Sequence, residues 1–154
     1  MRLKQGCRLF WVALVAFVLD RATKVWSLTL EGGVEAVPGL LNFRPVRNYG
    51  AAFGVFAGKQ ALLSALVLLL CAAVLFILLR FPRMANAGRA GLWLILAGGL
   101  SNLYDRLRYG YVIDFLELGF IRFPVFNVAD VCIVAGCVLT FIAVLRMEGG
   151  RKRG

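Results

Sequence analysis

QALLSALVLLLCAAVLFILL, residues 60–79, decides the fold. Its 20 residues carry no charge, and Lys59 and Arg80 bracket it. At helical rise such a run is about 30 Å long, the thickness of a hydrocarbon core. The whole chain is 61% hydrophobic with a mean hydropathy of +0.82. Soluble domains do not reach such values. The run is a transmembrane helix, and the chain is an integral membrane protein.

Working outward, three more segments fit the same reading. Leu9–Leu19 is apolar and continues past Asp20 through ATKVWSLTL, with Trp26 placed for an interface. Ala90–Tyr104 is uncharged and ends at Asp105, and Phe123–Leu145 holds one charge, Asp130, near its start. The expectation is a mainly α, integral membrane protein with four transmembrane helices at about 9–28, 60–79, 89–107 and 126–145. Residues 1–154 then form a single membrane domain. Segments of about 29–59 and 108–125 lie outside the membrane. LLNFRPV reads as a short strand, NYGAAFG as a tight turn of small residues, and Tyr111–Phe126 as β-like and aromatic. Together they suggest a small outer platform able to hold an extended peptide by strand addition. The basic, then apolar N-terminus resembles a signal peptide, but it runs into Asp-Arg-Ala-Thr-Lys with no small-residue cleavage site, so it is expected to stay as helix one.

Charge gives the orientation. The side holding both termini carries ten basic residues against one acid, Glu148, whereas the other side carries eight against seven. By the positive-inside rule both termini are cytoplasmic. The net charge of +10 therefore reports topology and anionic lipid, and gives no support for nucleic acid as a partner.

Threading that topology brings all four aspartates, Asp20, Asp105, Asp114 and Asp130, into the outer half of the protein. Asp105 beside Arg106 fits a structural ion pair or a functional group equally well, and Asp20 can pair with Lys24 at i,i+4. Asp114 in YVIDFL and Asp130 in FNVADVCIV have no basic residue within three positions. A carboxylate at that depth is costly, and is usually paired or functional.

The chain has no histidine. That removes a Ser-His-Asp triad, a Cys-His pair and a His-ligated zinc. Neither Lys24 nor Lys59 has a serine at catalytic spacing. Cys7, Cys71, Cys132 and Cys137 form no CxxC pair and read as packing residues. Carboxylates remain for acid–base work. Two aspartates sharing a proton could activate a water and protonate a leaving amine. Asp114 and Asp130 are the candidates. A small four-helix transporter binding protons or cations at Asp20 is the alternative, although its short loops would not match two long outer segments. A presenilin-type protease, suggested by Tyr104-Asp105, lacks the GxGD partner motif.

Taken together, LDRATK (19–24), RNYGAAFG (47–54), GGLSNLYDRLRYGYVIDFL (98–116) and FNVADVCI (126–133) resemble the motif blocks of the lipoprotein signal peptidase (signal peptidase II) family. The resemblance implies an aspartic endopeptidase of the bacterial inner membrane. Such an enzyme cleaves prolipoprotein signal peptides just before a diacylglyceryl-modified cysteine, without metal or cofactor. It makes Asp114 and Asp130 the catalytic dyad. Asn48, Gly50, Asn102, Asp105, Arg106, Asn127 and Ala129 would line or support the site, and Asp20 and Lys24 would support it or its substrate. Implied partners are the lipidated signal peptide, membrane lipid and a globomycin-type inhibitor, with the enzyme acting as a monomer near the extracytoplasmic face. Two positions depart from the family pattern: Arg21 follows LD where glutamine is commoner, and Ser101 precedes Asn102 where glycine is usual.

Overall fold

The computed structural model describes residues 2–50, 55–56, 58–82 and 84–151. The order is α1 (Arg2–Ser27), β1 (Val34–Val37), β2 (Leu41–Asn48), α2 (Gln60–Arg80), α3 (Asn86–Tyr109), β3 (Val112–Leu118) and α4 (Val128–Arg151). The four expected helices are present with shifted ends. Residues Ala51–Gly54 of the expected small-residue turn lie outside the described residues.

Only α2 and the Val128–Arg146 part of α4 are, by length and apolarity, able to cross a membrane among the described residues. α1 and α3 fall short of that apolarity, as two of the segments that fit the spanning pattern less cleanly than 60–79. Each carries a cluster of polar residues in its outer turns, Asp20, Arg21 and Lys24 in one and Ser101, Asn102, Asp105 and Arg106 in the other. Those residues are turned inward. On α1, Asp20, Lys24 and Ser27 are buried while Trp11, Val15, Val18, Leu19 and Val25 are exposed. This is the reverse of a water-soluble helix, and so broad an apolar exterior does not suit water.

α3 is the central helix and packs against the other three. On one side Leu92, Ile95 and Leu96 meet Cys71, Val74 and Leu78 of α2. Cys71 is thus a packing residue, as expected. On the other side Gly91 faces Gly136 of α4. A Cβ at either position would lie 2.5 Å from the other's carbonyl oxygen, so only glycine permits this crossing. Small residues at helix crossings are the means by which membrane helices pack closely.

The outer segments form an antiparallel sheet in the order β1-β2-β3. The register of β2 on β3 shifts between Phe43 and Val46, so Arg44 and Pro45 oppose Phe115 alone. Proline has no N–H to give the ladder, and a bulge is where a strand tolerates it. Beyond the bulge Val46 pairs with Asp114 and Asn48 with Val112. The other edge of β3 takes Phe126, whose carbonyl accepts from Phe115 N–H (2.9 Å) and Leu116 N–H (2.8 Å). That pairing is why α4 begins at Val128 and not at 126: Phe126 belongs to the sheet and Asn127 to the cap.

Candidate active site

The N-terminus of α4 anchors the site. Asn127 is its cap residue. Its Oδ1 accepts from Asp130 N–H (2.9 Å), and Asp130 Oδ2 accepts in return from Asn127 N–H (3.1 Å). This reciprocal arrangement is a capping box, with aspartate in the place usually held by glutamate. A third orphan donor, Ala129 N–H, is taken by Asp20 Oδ1 from α1 at 2.8 Å. Negative charge at a helix N-terminus is favoured by the peptide dipoles.

With its oxygen committed to the cap, the Asn127 amide nitrogen points to Asp114 Oδ1 (2.6 Å). Sheet register supplies the other bond. Asn48 sits two residues beyond Val46, the partner of Asp114, hence on the same face. Its Nδ2 donates to Asp114 Oδ2 at 2.8 Å, and its Oδ1 accepts from Gly50 N–H at 2.9 Å. Asp130 Oδ1 accepts from Asn102 Nδ2 at 2.8 Å. Asp114 and Asp130 therefore share Asn127, and each oxygen of both carboxylates accepts an N–H.

Asp114 is 2% exposed. Burial, then the nearby charge of Asp130, pushes its pKa up to about 7, against the pull of the Asn48 and Asn127 bonds and of Lys24. At neutral pH this carboxyl is poised to hold or release a proton. Three residues on, half-exposed Glu117 meets Arg44 at 2.7 Å, and that partner holds its pKa down. One strand thus carries acids of opposite character.

Behind the pair lies a second layer. Lys24 is fully buried and spends its three donors on Asp20 Oδ2 (2.9 Å), Asp105 Oδ2 (2.9 Å) and Asn102 Oδ1 (2.8 Å). The expected Asp20–Lys24 pair is present. The expected Asp105–Arg106 pair is not: Asp105 pairs with Arg21 (2.5 Å) and Lys24 and accepts from Ile113 N–H (3.3 Å). Adjacent helical residues point to different faces, so Arg106 turns away and donates to the carbonyls of Gly50 (3.1 Å) and Asn102 (3.4 Å). Two cations balance two anions in this layer.

All eleven expected site residues thus fall into one connected cluster. Arg21 and Ser101 belong to it as well, though nothing in the sequence marked them as more than departures from a motif. Ser101 Oγ donates to Asp20 Oδ2 (2.6 Å), and Arg21 also donates to the Ser101 carbonyl (3.2 Å). Both lie on helix faces directed at each other, a relation visible only once α1 and α3 are packed. Asp20, the acid on which a transporter would depend, has both oxygens engaged by Ala129, Ser101 and Lys24.

Comparison with known proteins gives concordant results. Residues 12–146 match the family described as signal peptidase (SPase) II. The lipoprotein signal peptidase of Clostridium acetobutylicum is 38% identical over 149 residues, which cover 93% of this chain and 96% of its own length. That of Nostoc punctiforme is 40% identical over 147 residues, 93% and 92% of the two chains. A bacterial membrane enzyme solved by the in meso method at 2.3 Å resolution superposes with a TM-score of 0.88 at 27% identity, covering 96% of this chain and 93% of the other.

Proposed function

The chain belongs to the signal peptidase II family of bacterial membrane hydrolases, and on that premise we propose that it removes the signal peptide from prolipoproteins by an aspartic mechanism at Asp114 and Asp130. The scissile bond is the one just before the diacylglyceryl-modified cysteine. The observation that carries this reading is the pairing of two carboxylates through one asparagine, with a full set of amide donors and, among the described residues, no cation in contact with either. One carboxylate takes a proton from a water as that water attacks the peptide carbonyl. The other, protonated, gives its proton to the departing amine. A charge-relaxed, partly buried pair suits this exchange, because a firm ion pair would hold a carboxylate ionised throughout.

The chain acts as one membrane peptidase domain, a monomer crossing the bilayer four times with both termini cytoplasmic. The inward-turned polar faces of α1 and α3 support this topology, since they leave apolar surface to lipid even where overall hydropathy is low. The dyad then lies near the extracytoplasmic face, at the depth where a lipidated cysteine is held by its acyl chains. A globomycin-type peptide would block the enzyme by occupying the dyad.

Cleavage of a diacylglyceryl-modified signal peptide by the detergent-purified protein tests the proposal. Asp114→Asn and Asp130→Asn should each abolish it while eluting as folded protein. Near-normal activity in Asp114→Asn would overturn the dyad assignment.

A further inference from the structure

An asparagine amide can present either its oxygen or its nitrogen, and a carboxylate can accept only from the nitrogen. Asn102 faces Asp130 with its nitrogen, and its Oδ1 is turned the other way, onto Lys24 Nζ (2.8 Å) and Asn127 Nδ2 (3.2 Å). An ammonium group has donors and no acceptor, so it tolerates only the amide oxygen opposite it. Lys24 itself cannot turn away, because its other two donors are held by Asp20 and Asp105 in a fully buried setting.

We propose that Lys24 is a positioning residue that fixes the polarity of the Asn102 amide, so that Asp130 always receives an N–H and serves as the base of the pair while Asp114 carries the proton as its acid. The inference rests on the dyad reading above and gives its two members distinct roles. Geometry separates them. Asp130 sits in the first turn of α4, where helix dipoles favour an anion, and its donors are the Asn102 amide and the Asn127 backbone. Asp114 lies on a strand without that help. The charged and titratable groups arrayed around Asp130 are Asp20 and Lys24 from α1, Arg106 from α3 and Asp114 from β3, with Asp105 on the far side of Lys24. Of these, Lys24 is the one that holds the side-chain oxygen of the amide donating to Asp130; Arg106 reaches the Asn102 backbone carbonyl instead, and Asp114 the Asn127 amide nitrogen. Lys24 does not touch substrate, since it is fully buried with every donor in use.

The test compares Lys24→Met, Asp105→Asn and the double variant in full-length detergent-purified enzyme, with kcat and KM measured across pH on a diacylglyceryl-modified peptide. The double variant removes one cation and one anion together, so it stays balanced where Lys24→Met alone strands buried carboxylates. Losing the bond that orders a charge-assisted donor should lower kcat roughly 10- to 100-fold with KM within about twofold. The acid limb of the kcat profile should move to higher pH in both variants lacking Lys24, and to lower pH or not at all in Asp105→Asn. A KM defect with unchanged kcat, or an acid limb that stays fixed in the double variant, overturns the proposal. Asp130→Asn runs alongside: if it is active the dyad reading fails, whereas if it is inactive and the limb stays fixed only the role of Lys24 fails.

Discussion

Two pairs of aspartates stand within one cluster, and they are held in opposite ways. Asp20 and Asp105 each accept from Lys24 at 2.9 Å, and Asp105 has Arg21 besides. Asp114 and Asp130 are bonded through neutral amides, with no cation at ion-pair distance among the described residues. A carboxylate bonded to cations fixes structure. One held by amides keeps an adjustable proton. The inner pair fastens three helices together, and the outer pair is left free to exchange charge, as the proposed hydrolysis requires.

Substitution to asparagine breaks this comparison most sharply. Asp114→Asn and Asp130→Asn should lose cleavage by three orders of magnitude or more, on the order of the loss seen when a catalytic unit loses a member. Their thermal unfolding should stay close to that of the parent. Asp105→Asn should do the reverse and strand cations in the interior, at about 3–5 kcal/mol of stability. Unfolding in detergent by circular dichroism, beside a cleavage assay, separates the two outcomes. A dead but fully stable Asp105→Asn would erase the distinction.

Asn48→Ala comes next. It removes one donor from Asp114 and leaves the protein otherwise intact. The loss of a bond to a charged group is worth roughly 1.5–3 kcal/mol, so kcat should fall about 10- to 100-fold.

A smaller effect is read from pH. With Asp114 pushed to about 7, activity should decline above that value, about tenfold per pH unit, as the pair loses its shared proton. The folded protein binds that proton more tightly than the unfolded chain, where the group ionises near pH 4. Stability should therefore fall as pH rises from about 4 through about 7. Asp114→Asn removes that slope, and a slope that persists in the variant would place its origin elsewhere. Arg44→Ala is the smallest case. Its exposed pair with Glu117 lies outside both networks and should matter by less than about 1 kcal/mol.

Much of this was legible before any coordinates. The uncharged run at 60–79 requires a spanning helix, and all of LLNFRPV but its first residue, Leu40, lies within β2 (Leu41–Asn48). The four aspartates, which the helix order threads into one half of the protein, point to the cluster. The partners were harder to see. Arg106 adjoins Asp105 in sequence, yet neighbouring positions on a helix diverge, and the true partners Arg21 and Lys24 lie about eighty residues away. α4 begins two residues later than its apolar pattern implies because Phe126 obeys the sheet and Asn127 the capping box. Ser101 gave no signal, since a serine in an apolar helix looks the same whether it meets lipid or a carboxylate.

The capping box has one further consequence. Asn127 closes the first turn of α4 with the same side chain that links Asp114 to Asp130. Fraying of that single turn would therefore dismantle the geometry of the proposed dyad. Deuterium uptake at the amides of Ala129 and Asp130 should then report the fraction of molecules able to turn over.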